Sequence, residues 1–326
     1  AFIVETNHAS ACAVATSTNT TAAGAVAAWR ALAVEHERAR LETHFRLHGR
    51  FMPDDNTTAV RSWGNRNKRR SSTTAWPKLF EPSFVCPAVE RIPRPPAADQ
   101  PEVDYQTWKF LCAPRRLRKS CTLLSLGCNF QDAFEEALRC RTVIVDPTLD
   151  EASVSPGTAR DFANRVARRG DVLNRSVGIG AGTLKRPTGK DLPLVSLRTL
   201  LSSLQQRPTP FFSRPRVRRL GASCAKQPTE TLGAHIDVLK VDIEGSEYDV
   251  LPEVFELCRR GVLTVDQLLA EVHSGATSGR ARHTAASLHA LFHGAQHCQL
   301  MLFHKELNLA RAGRNSEFSW VSMRHV

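Results

Sequence analysis

The sequence predicts an α/β domain built on a mainly parallel β-sheet, and three observations support this. From about Val103, short apolar runs alternate with segments of helical periodicity, as expected for successive right-handed β-α-β units. The runs are rich in branched residues and are bounded by turn residues, which is typical of buried strands. The last two runs are separated only by a short loop, so they are expected to form an antiparallel hairpin on the same sheet.

The individual elements follow from these periods and from the residues that bound them. Strands are predicted at 121–126, 142–145, 172–179, 236–241, 267–272, 299–303 and 317–321. Helices are predicted at 130–138, 157–169, 195–205, 246–260 and 284–293. Gly261 and Gly294 are expected to close the last two helices. In the first helix, Glu135 and Glu136 are expected to be exposed.

Residues 1–102 differ in composition and are interpreted as an N-terminal extension, partly helical and partly disordered, with the folded domain at 103–326. One amphipathic helix is predicted at about 22–47. The Pro- and Arg-rich segment 91–96 is interpreted as a linker. No secretory signal is predicted and no apolar run is long enough to cross a bilayer. The compartment stays open between the cytoplasm and the secretory lumen.

The chain of 326 residues has a formal charge of +12, and much of the excess lies in arginine-rich bursts. These bursts occur at 66–70, 115–119, 165–169 and 214–219. They can be solvated loops, or they can attract an anionic partner. The nine cysteines include no C-x-x-C pair, so a structural zinc site of cysteine pairs is not predicted. Cys112 and Cys121 can pair in an oxidising compartment or remain free in a reducing one.

Two strand ends predict a nucleoside-binding edge. The strand at 121–126 runs into Gly127, where the chain can turn tightly and present the N-terminus of the next helix. The strand at 142–145 ends at Asp146, about 20 residues after that glycine, the offset at which an acid accepts ribose hydroxyls. An ordinary turn acid before Pro147 is the alternative. Only one glycine is present in the first turn, so the dinucleotide fingerprint is absent.

The strand at 236–241 ends in Asp242, Glu244 and Gly245. The two acids can bind a metal, act as a base or hold a substrate, or the turn can simply cap the next helix. Lys240 shares a face with Asp242 because side chains alternate along a strand. It can therefore pair with an acid or meet an anionic substrate.

The following strand ends with Glu271 and His273 on one face. Histidine is the natural proton acceptor near neutral pH, although a structural role is an equal alternative. A spacing of four also relates His289, His293 and His297. A metal site there requires one continuous helix, and Gly294 is expected to end that helix first. No metal ligand is assigned.

From about Trp108 to Val321 the chain resembles the FkbM-like S-adenosylmethionine-dependent methyltransferases, especially the methyltransferase-like 24 type. The motifs that carry the resemblance occur in the expected order and spacing. They are Trp108–Cys112, Leu124–Gly127, Phe134–Glu135, Val145–Thr148, Leu239–Glu247, Glu271–His273, Phe303–Asn308 and Glu317–Val321. The segment Lys240–Gly245 is the most specific of them.

The resemblance implies a Rossmann-like, seven-strand class I methyltransferase fold with a reversed last hairpin and S-adenosyl-L-methionine as cofactor. The residues expected to bind the cofactor are Leu126, Gly127, Cys128, Asn129, Asp146, Pro147 and Asp242. Gly127 and its neighbours would line the methionine end, Asp146 would hold the ribose, and Asp242 would lie near the methyl group. Cys128 and Asn129 stand where a second glycine often occurs.

The leading hypothesis is methyl transfer to a hydroxyl oxygen of a small molecule or glycan. Asp242 would position the reactants, His273 or Glu271 would remove the proton, and Lys240 and Glu244 would contact the substrate. An insertion at 207–233 can cover the cleft. One rival is a catalytically inactive protein of the same fold that binds an anionic polymer through its basic loops. Another is a metal-dependent hydrolase. The acceptor and the oligomeric state are not predicted.

Overall fold

The computed structural model describes ten segments and a few residues near the N-terminus. The segments are 80–94, 108–150, 156–169, 172–175, 178–180, 183–185, 191–205, 233–273, 285–307 and 315–325. Within the predicted helix at 22–47, only Ala28, 31–33 and Glu35 are described, and they are helical. The basic bursts at 66–70 and 214–219, and nearly all of the insertion at 207–233, lie outside the described residues.

The described residues form twelve strands and five α-helices, numbered in chain order. The strands are β1 (Val89–Ile92), β2 (Lys109–Cys112), β3 (Thr122–Leu126), β4 (Arg141–Val145), β5 (Val172–Arg175), β6 (Gly178–Ile179), β7 (Thr183–Lys185), β8 (Asp191–Val195), β9 (Ala234–Val241), β10 (Leu263–His273), β11 (Leu300–Leu307) and β12 (Asn315–Ser322). The helices are α1 (Ala133–Leu138), α2 (Pro156–Arg169), α3 (Leu197–Gln205), α4 (Glu247–Arg259) and α5 (Ala285–Gly294).

The main sheet has seven strands in the order β11-β12-β10-β9-β3-β4-β5. Five neighbouring strands of this sheet, β10, β9, β3, β4 and β5, are mutually parallel. β12 is antiparallel to both of its neighbours, β10 and β11. The predicted class I methyltransferase fold, with its reversed last hairpin, is confirmed. The chain leaves β3 toward β4 and later returns to β9 on the other side. The order therefore reverses between β3 and β9, and open sheets of this kind bind ligands outside the carboxyl ends of the strands at such a reversal.

The central strands are buried on both faces because helices and the first hairpin cover them. Every residue of β3 is buried, and so is nearly all of β9. The largest core cluster packs β9 and β10 against α3, α4 and α5, with Phe292 wedged between Phe318 and Trp320. None of the described helices is long and apolar enough to span a membrane.

Some predicted element boundaries are wrong. The single strand at 172–179 is divided, because β6 leaves the main sheet and pairs with β8 in a small separate sheet. Val195 belongs to β8 rather than to the following helix. The helix predicted from Phe130 begins at Ala133, because Asn129 and Phe130 have left-handed backbones with φ of 45° and 63°. Such conformations cannot continue a right-handed helix.

Residues 80–94, which the sequence interpretation placed in the N-terminal extension, pack on this domain. Phe80 stacks on Phe292 of α5 with ring centroids 3.8 Å apart. β1 pairs antiparallel with β2. The linker interpretation of 91–96 is wrong for Arg91 and Ile92, which lie in β1.

Three disulfides connect described cysteines, namely Cys86–Cys112, Cys121–Cys140 and Cys258–Cys298. The suggested Cys112–Cys121 pair is therefore wrong. The pairing follows from the strands, because Cys121 and Cys140 immediately precede the paired strands β3 and β4. Cys112 lies opposite Val89 in the first hairpin, close to Cys86. Among the described cysteines, Cys128 is the free one.

Candidate active site

The turn after β3 is pressed directly against the end of β9. Gly127 has φ +80°, and a Cβ at this position would lie 1.7 Å from the carbonyl oxygen of Asp242. The amide of Asp242 donates to the carbonyl of Leu126 at 2.8 Å. Because no side chain fits between the two strand ends, glycine is required here for close approach as well as for its backbone conformation.

Asp146, the predicted ribose ligand, is buried at the end of β4 and braces the same turn. Its Oδ2 accepts the amides of Cys128 and Asn129, each at 2.7 Å. Its Oδ1 accepts the amide of Thr148 at 2.8 Å and the Thr148 hydroxyl at 2.6 Å. Four donors fill the acceptor positions of a carboxylate. Three of these donors are backbone amides. The fourth, the Thr148 hydroxyl, can move away from Asp146 by rotation of its side chain alone.

The other residues predicted to bind the cofactor lie around this brace. Leu126 is in the core, and Asn129 is exposed on the turn. Pro147 is partly buried and begins a short 3₁₀ turn. The Cys128 side chain packs against Phe130 and its neighbours. Burial, together with nearby carboxylates, raises the pKa of the Cys128 thiol, so it stays protonated at neutral pH.

The Lys240 side chain hydrogen-bonds to the backbone of the turn after β3. Its Nζ donates to the carbonyl of Gly127 at 2.6 Å and lies 3.2 Å from Oε1 of Glu135. The Ser125 hydroxyl donates to the same Glu135 oxygen at 2.6 Å. Glu135 is fully buried, so the expectation that it is exposed is wrong. Of the two roles predicted for Lys240, the structure shows pairing with an acid.

Burial alone would lower the pKa of Lys240. The adjacent carboxylates of Glu135 and Asp242 outweigh that effect and hold the pKa above its ordinary value. Lys240 is therefore a permanent buried cation, whose positive charge is offset by these acids.

Asp242, Glu271 and His273 converge at the carboxyl ends of β9 and β10. One polar atom from each side chain lies within 4.8 Å of the others. Burial would raise the pKa of Asp242, but Lys109, Lys240 and His273 together hold it below its ordinary value. Asp242 is therefore ionised at neutral pH.

Glu271 behaves differently from Asp242. Burial, reinforced by the charge of Asp242, raises the pKa of Glu271 to about 7. A carboxyl group with this pKa can accept a proton near neutral pH, as a general base requires.

His273 is fully buried and anchored through Glu247. Its Nδ1 lies 3.0 Å from Oε1 of Glu247, and that oxygen also accepts the amides of Ile243 and Gly245 at 3.1 Å each. The other nitrogen, Nε2, lies 3.4 Å from Glu244 and 4.0 Å from Glu271. Burial would lower the pKa of His273, but the adjacent carboxylates of Glu244 and Glu247 raise it to about 11. At neutral pH His273 is therefore an imidazolium.

The structure brings together most of the predicted catalytic and substrate residues. Glu244 extends outward from the cluster with a side chain 57% exposed. In its protonated state His273 cannot serve as the proton acceptor, which leaves Glu271 for that role. Two carboxylates and an imidazole can also hold a divalent cation.

Sequence reasoning missed four charged residues of this site: Lys109, Glu135, Glu247 and Glu317. Lys109 of β2 is buried and forms a partly buried ion pair with Glu317 of β12. All four missed residues lie within motifs of the family resemblance, which was the available signal. Glu247 was expected only to start α4, and nothing local in the sequence distinguishes a capping glutamate from one that also holds a buried histidine.

Acids pair with some of the described arginines of the basic bursts. Arg165 contacts Asp132 at 2.6 Å, and Arg115 lies 3.3 Å from Glu90. α5 ends at Gly294 as expected, and His297 lies in the following 3₁₀ turn rather than in the next strand. His289, His293 and His297 therefore do not share one helix.

No protein-family profile and no curated protein matches the sequence. The similar solved structures include the methyltransferase FkbM of Methylobacillus flagellatus, with 13% identity, TM-score 0.34, and coverage of 63% of this chain and 44% of that chain. They also include fibrillarin of Aeropyrum pernix bound to S-adenosyl-L-methionine, with 12% identity, TM-score 0.33, and coverage of 63% and 68%. The Methanococcus jannaschii fibrillarin pre-rRNA processing protein has 8% identity, TM-score 0.32, and coverage of 63% and 68%. Matches at this level carry no argument about activity, which has to come from this chain's own site.

Proposed function

We propose that this protein is an S-adenosylmethionine-dependent methyltransferase that methylates a hydroxyl oxygen of a small molecule or glycan. The proposal rests on one observation: the polar residues of the site meet where the strand order reverses. Gly127 and Asp242 touch at the reversal between β3 and β9. Asp146 ends the strand on one side of this point, and Glu271 ends the strand on the other. This is the position at which open parallel sheets bind nucleotides.

The residues present fit the chemistry of the cofactor. Asp146 offers a carboxylate beside the turn, and withdrawal of the Thr148 hydroxyl would free an acceptor position for a ribose hydroxyl. A sulfonium is a cation, and the ionised Asp242 provides a nearby negative charge in a water-poor site. The amides of Cys128 and Asn129 hold the Asp146 carboxylate in place beside the turn.

When bound, the cofactor supplies a methyl group on a good leaving centre. Glu271 would accept the proton of the acceptor hydroxyl, which would leave that oxygen free to take the methyl group. Asp242 orients the reactants through its fixed position at the end of β9. The imidazolium of His273 offsets the negative charges of the Asp242 and Glu271 carboxylates, and Glu247 holds its ring in place.

Calorimetric titration tests the cofactor assignment. We expect S-adenosylmethionine to bind the wild-type protein, D146N to lose at least about tenfold in affinity because ribose hydroxyl bonds to charged acceptors are lost, and T148V to retain binding. Thermal unfolding of D146N shows whether the turn remains folded. Absence of heat from wild type, or undiminished binding by a folded D146N, would contradict the proposal.

A labelled-methyl transfer screen tests the reaction and identifies the acceptor. Glycans should be screened first, because the three disulfides favour an oxidising compartment, followed by small phenols, lipids and RNA. E271Q should bind the cofactor but lose transfer by roughly 100-fold or more, in line with removal of a general base. E136Q, which alters an exposed glutamate of α1, is the matched control.

The same experiments separate the rival hypotheses. Binding of RNA or sulfated glycan that weakens steeply with salt, without methyl transfer, would favour an inactive anion-binding protein. Hydrolysis that needs no S-adenosylmethionine and stops with chelator would favour the metal-dependent hydrolase.

A further inference from the structure

A second polar cluster lies at the opposite edge of the sheet, at the amino-terminal ends of β9 and β10. It consists of His235, Asp237 and Asp266, and one polar atom from each lies within 4.8 Å of the others. The register of the two strands places Asp266 beside Asp237. The cluster is separated from Asp242 and His273 by the length of the same strands, so the proposed methyl-transfer chemistry does not use it.

The spacing of these atoms is wider than that of hydrogen bonds. Nε2 of His235 lies 3.5 Å from Oδ1 of Asp237 and 3.5 Å from Oδ2 of Asp266. This nitrogen is buried and makes no hydrogen bond to any of the residues that the structure describes. Hydrogen bonds between such groups are about 2.7–2.9 Å long. Ligand atoms around a tetrahedral zinc ion with bonds of about 2.0–2.1 Å are about 3.3 Å apart, which is close to the observed spacing.

The other ring nitrogen of His235, Nδ1, hydrogen-bonds to Thr264, so Nε2 is the nitrogen that can bind a metal. Nδ1 lies 2.9 Å from the Thr264 hydroxyl, and that hydroxyl donates to the carbonyl of Ala234 at 3.5 Å. The Thr264 oxygen therefore accepts a hydrogen bond from Nδ1–H. In the neutral ring this leaves the lone pair on Nε2 facing the two carboxylates.

Asp237 is held in the same way. Its Oδ2 accepts the Thr122 amide and the Thr122 hydroxyl, each at 2.9 Å. The remaining oxygen, Oδ1, is the one turned toward His235. Outer partners that orient each ligand in this manner are the usual surroundings of metal-binding histidines and carboxylates.

His325 supports the third member of the cluster. Its Nδ1 lies 3.7 Å from Oδ2 of Asp266, and its Nε2 lies 3.3 Å from the side-chain nitrogen of Gln267. Because an amide NH₂ can only donate, Nε2 of His325 accepts and Nδ1 carries the proton. His325 is thus placed to orient Asp266 and is not counted among the ligands.

We propose that His235, Asp237 and Asp266 bind one zinc ion, with a water molecule completing the coordination. A neutral imidazole and two carboxylates carry two negative charges, which a divalent cation neutralises. The side chains of His235 and Asp266 are 14% and 16% exposed, so an ion can enter from solvent. Bound there, the ion would link β9 to β10 and, through Thr122, to β3.

The experiment uses the full chain after treatment with chelator. Calorimetric titration with zinc chloride should show one tight site, and saturating zinc should raise the melting temperature, since the ion binds the folded state. D266N should lose at least about tenfold in zinc affinity. D161N, which alters an exposed aspartate of α2, should bind as wild type does. Cobalt titrated in place of zinc should give the visible absorption of a tetrahedral site in wild type but not in D266N.

Two further variants complete the test. H273N removes a member of the Asp242–Glu271–His273 cluster, and zinc binding must then be unchanged if the assignment is right. H235Q must lose zinc binding as D266N does, and it replaces D266N in the test if D266N fails to fold. No zinc binding by wild type, equal binding by D266N and wild type, or loss of the site in H273N would overturn the proposal. None of these readouts depends on methyl transfer, so the two proposals can fail separately.

Discussion

Two features of the backbone require glycine at position 127. Its backbone is left-handed, with φ +80°, and the carbonyl oxygen of Asp242 occupies the place of a Cβ. Lys240 also donates to its carbonyl. A single residue thereby sets how closely the turn after β3 approaches the end of β9, and so sets the width of the proposed cofactor cleft.

Gly127→Ala should lower the free energy of unfolding by more than about 3 kcal/mol, because the clash is with backbone and adds to the conformational cost. Gly261→Ala is the matched control. That glycine also has a positive φ, of +69°, but nothing lies within 4 Å of an added Cβ, so we expect a loss of only about 1 kcal/mol. Chemical denaturation measures both losses. Equal losses would show that the contact with Asp242 is unimportant.

At the scale of elements, the β1–β2 hairpin completes the site from outside the main sheet. The Cys86–Cys112 disulfide and the β1–β2 pairing fix its position. It carries Lys109, which is 3% exposed, to Glu317 of β12 and near Asp242. The hairpin therefore supplies a positive charge that offsets the carboxylates of Asp242 and Glu317.

Lys109→Met should lower the free energy of unfolding by about 3–5 kcal/mol, because it leaves buried carboxylates without their cation. Lys305→Met is the control. Lys305 pairs at 2.6 Å with Glu81, whose side chain is 61% exposed, and exposed pairs contribute about 0–1 kcal/mol. Urea unfolding of both variants compares the two effects directly. A loss below about 1 kcal/mol for Lys109→Met would contradict the role given to the hairpin.

At the scale of the whole molecule, the buried charges come from segments far apart in the chain. Lys109, Lys240 and His273 supply positive charge. The acids around them lie on α1, α4 and the ends of β9, β10 and β12. Only the complete fold brings these groups close enough to shift one another's pKa. The ionisation of Glu271 near neutral pH is therefore a property of the assembled domain.

The pH dependence of stability follows from the raised pKa of Glu271, about 7 in the folded state against 4.5 ordinarily. Raising the pKa favours the protonated form. Wild type should therefore lose stability relative to E271Q as pH rises from about 4.5 to about 7, and the difference should be constant above that. Unfolding curves measured from pH 4 to 9 test this, with E136Q as control. Parallel curves for wild type and E271Q would contradict it.

Much of the fold was predictable from local patterns. Alternating apolar strands and helices indicated the parallel sheet, and the short final loop indicated the reversed hairpin. The positions of Asp242, Glu271 and His273 at neighbouring strand ends also followed, because parallel strands end at one edge. By contrast, β1 was missed because its proline- and arginine-rich surroundings suggest a linker, and only pairing with β2 makes it a strand.

The sequence by itself determined the order of strands and helices, the glycine turn and the acids that end the strands. These depend on periodicity and on single-residue backbone preferences, which act over a few residues. Only the tertiary structure decided which cysteines pair, that Glu135 is buried against Lys240, and that His273 is a cation held by Glu247. It also decided that His235, Asp237 and Asp266 face one another. These facts depend on distances between residues remote in the chain, and Coulomb and hydrogen-bond energies are set by those distances.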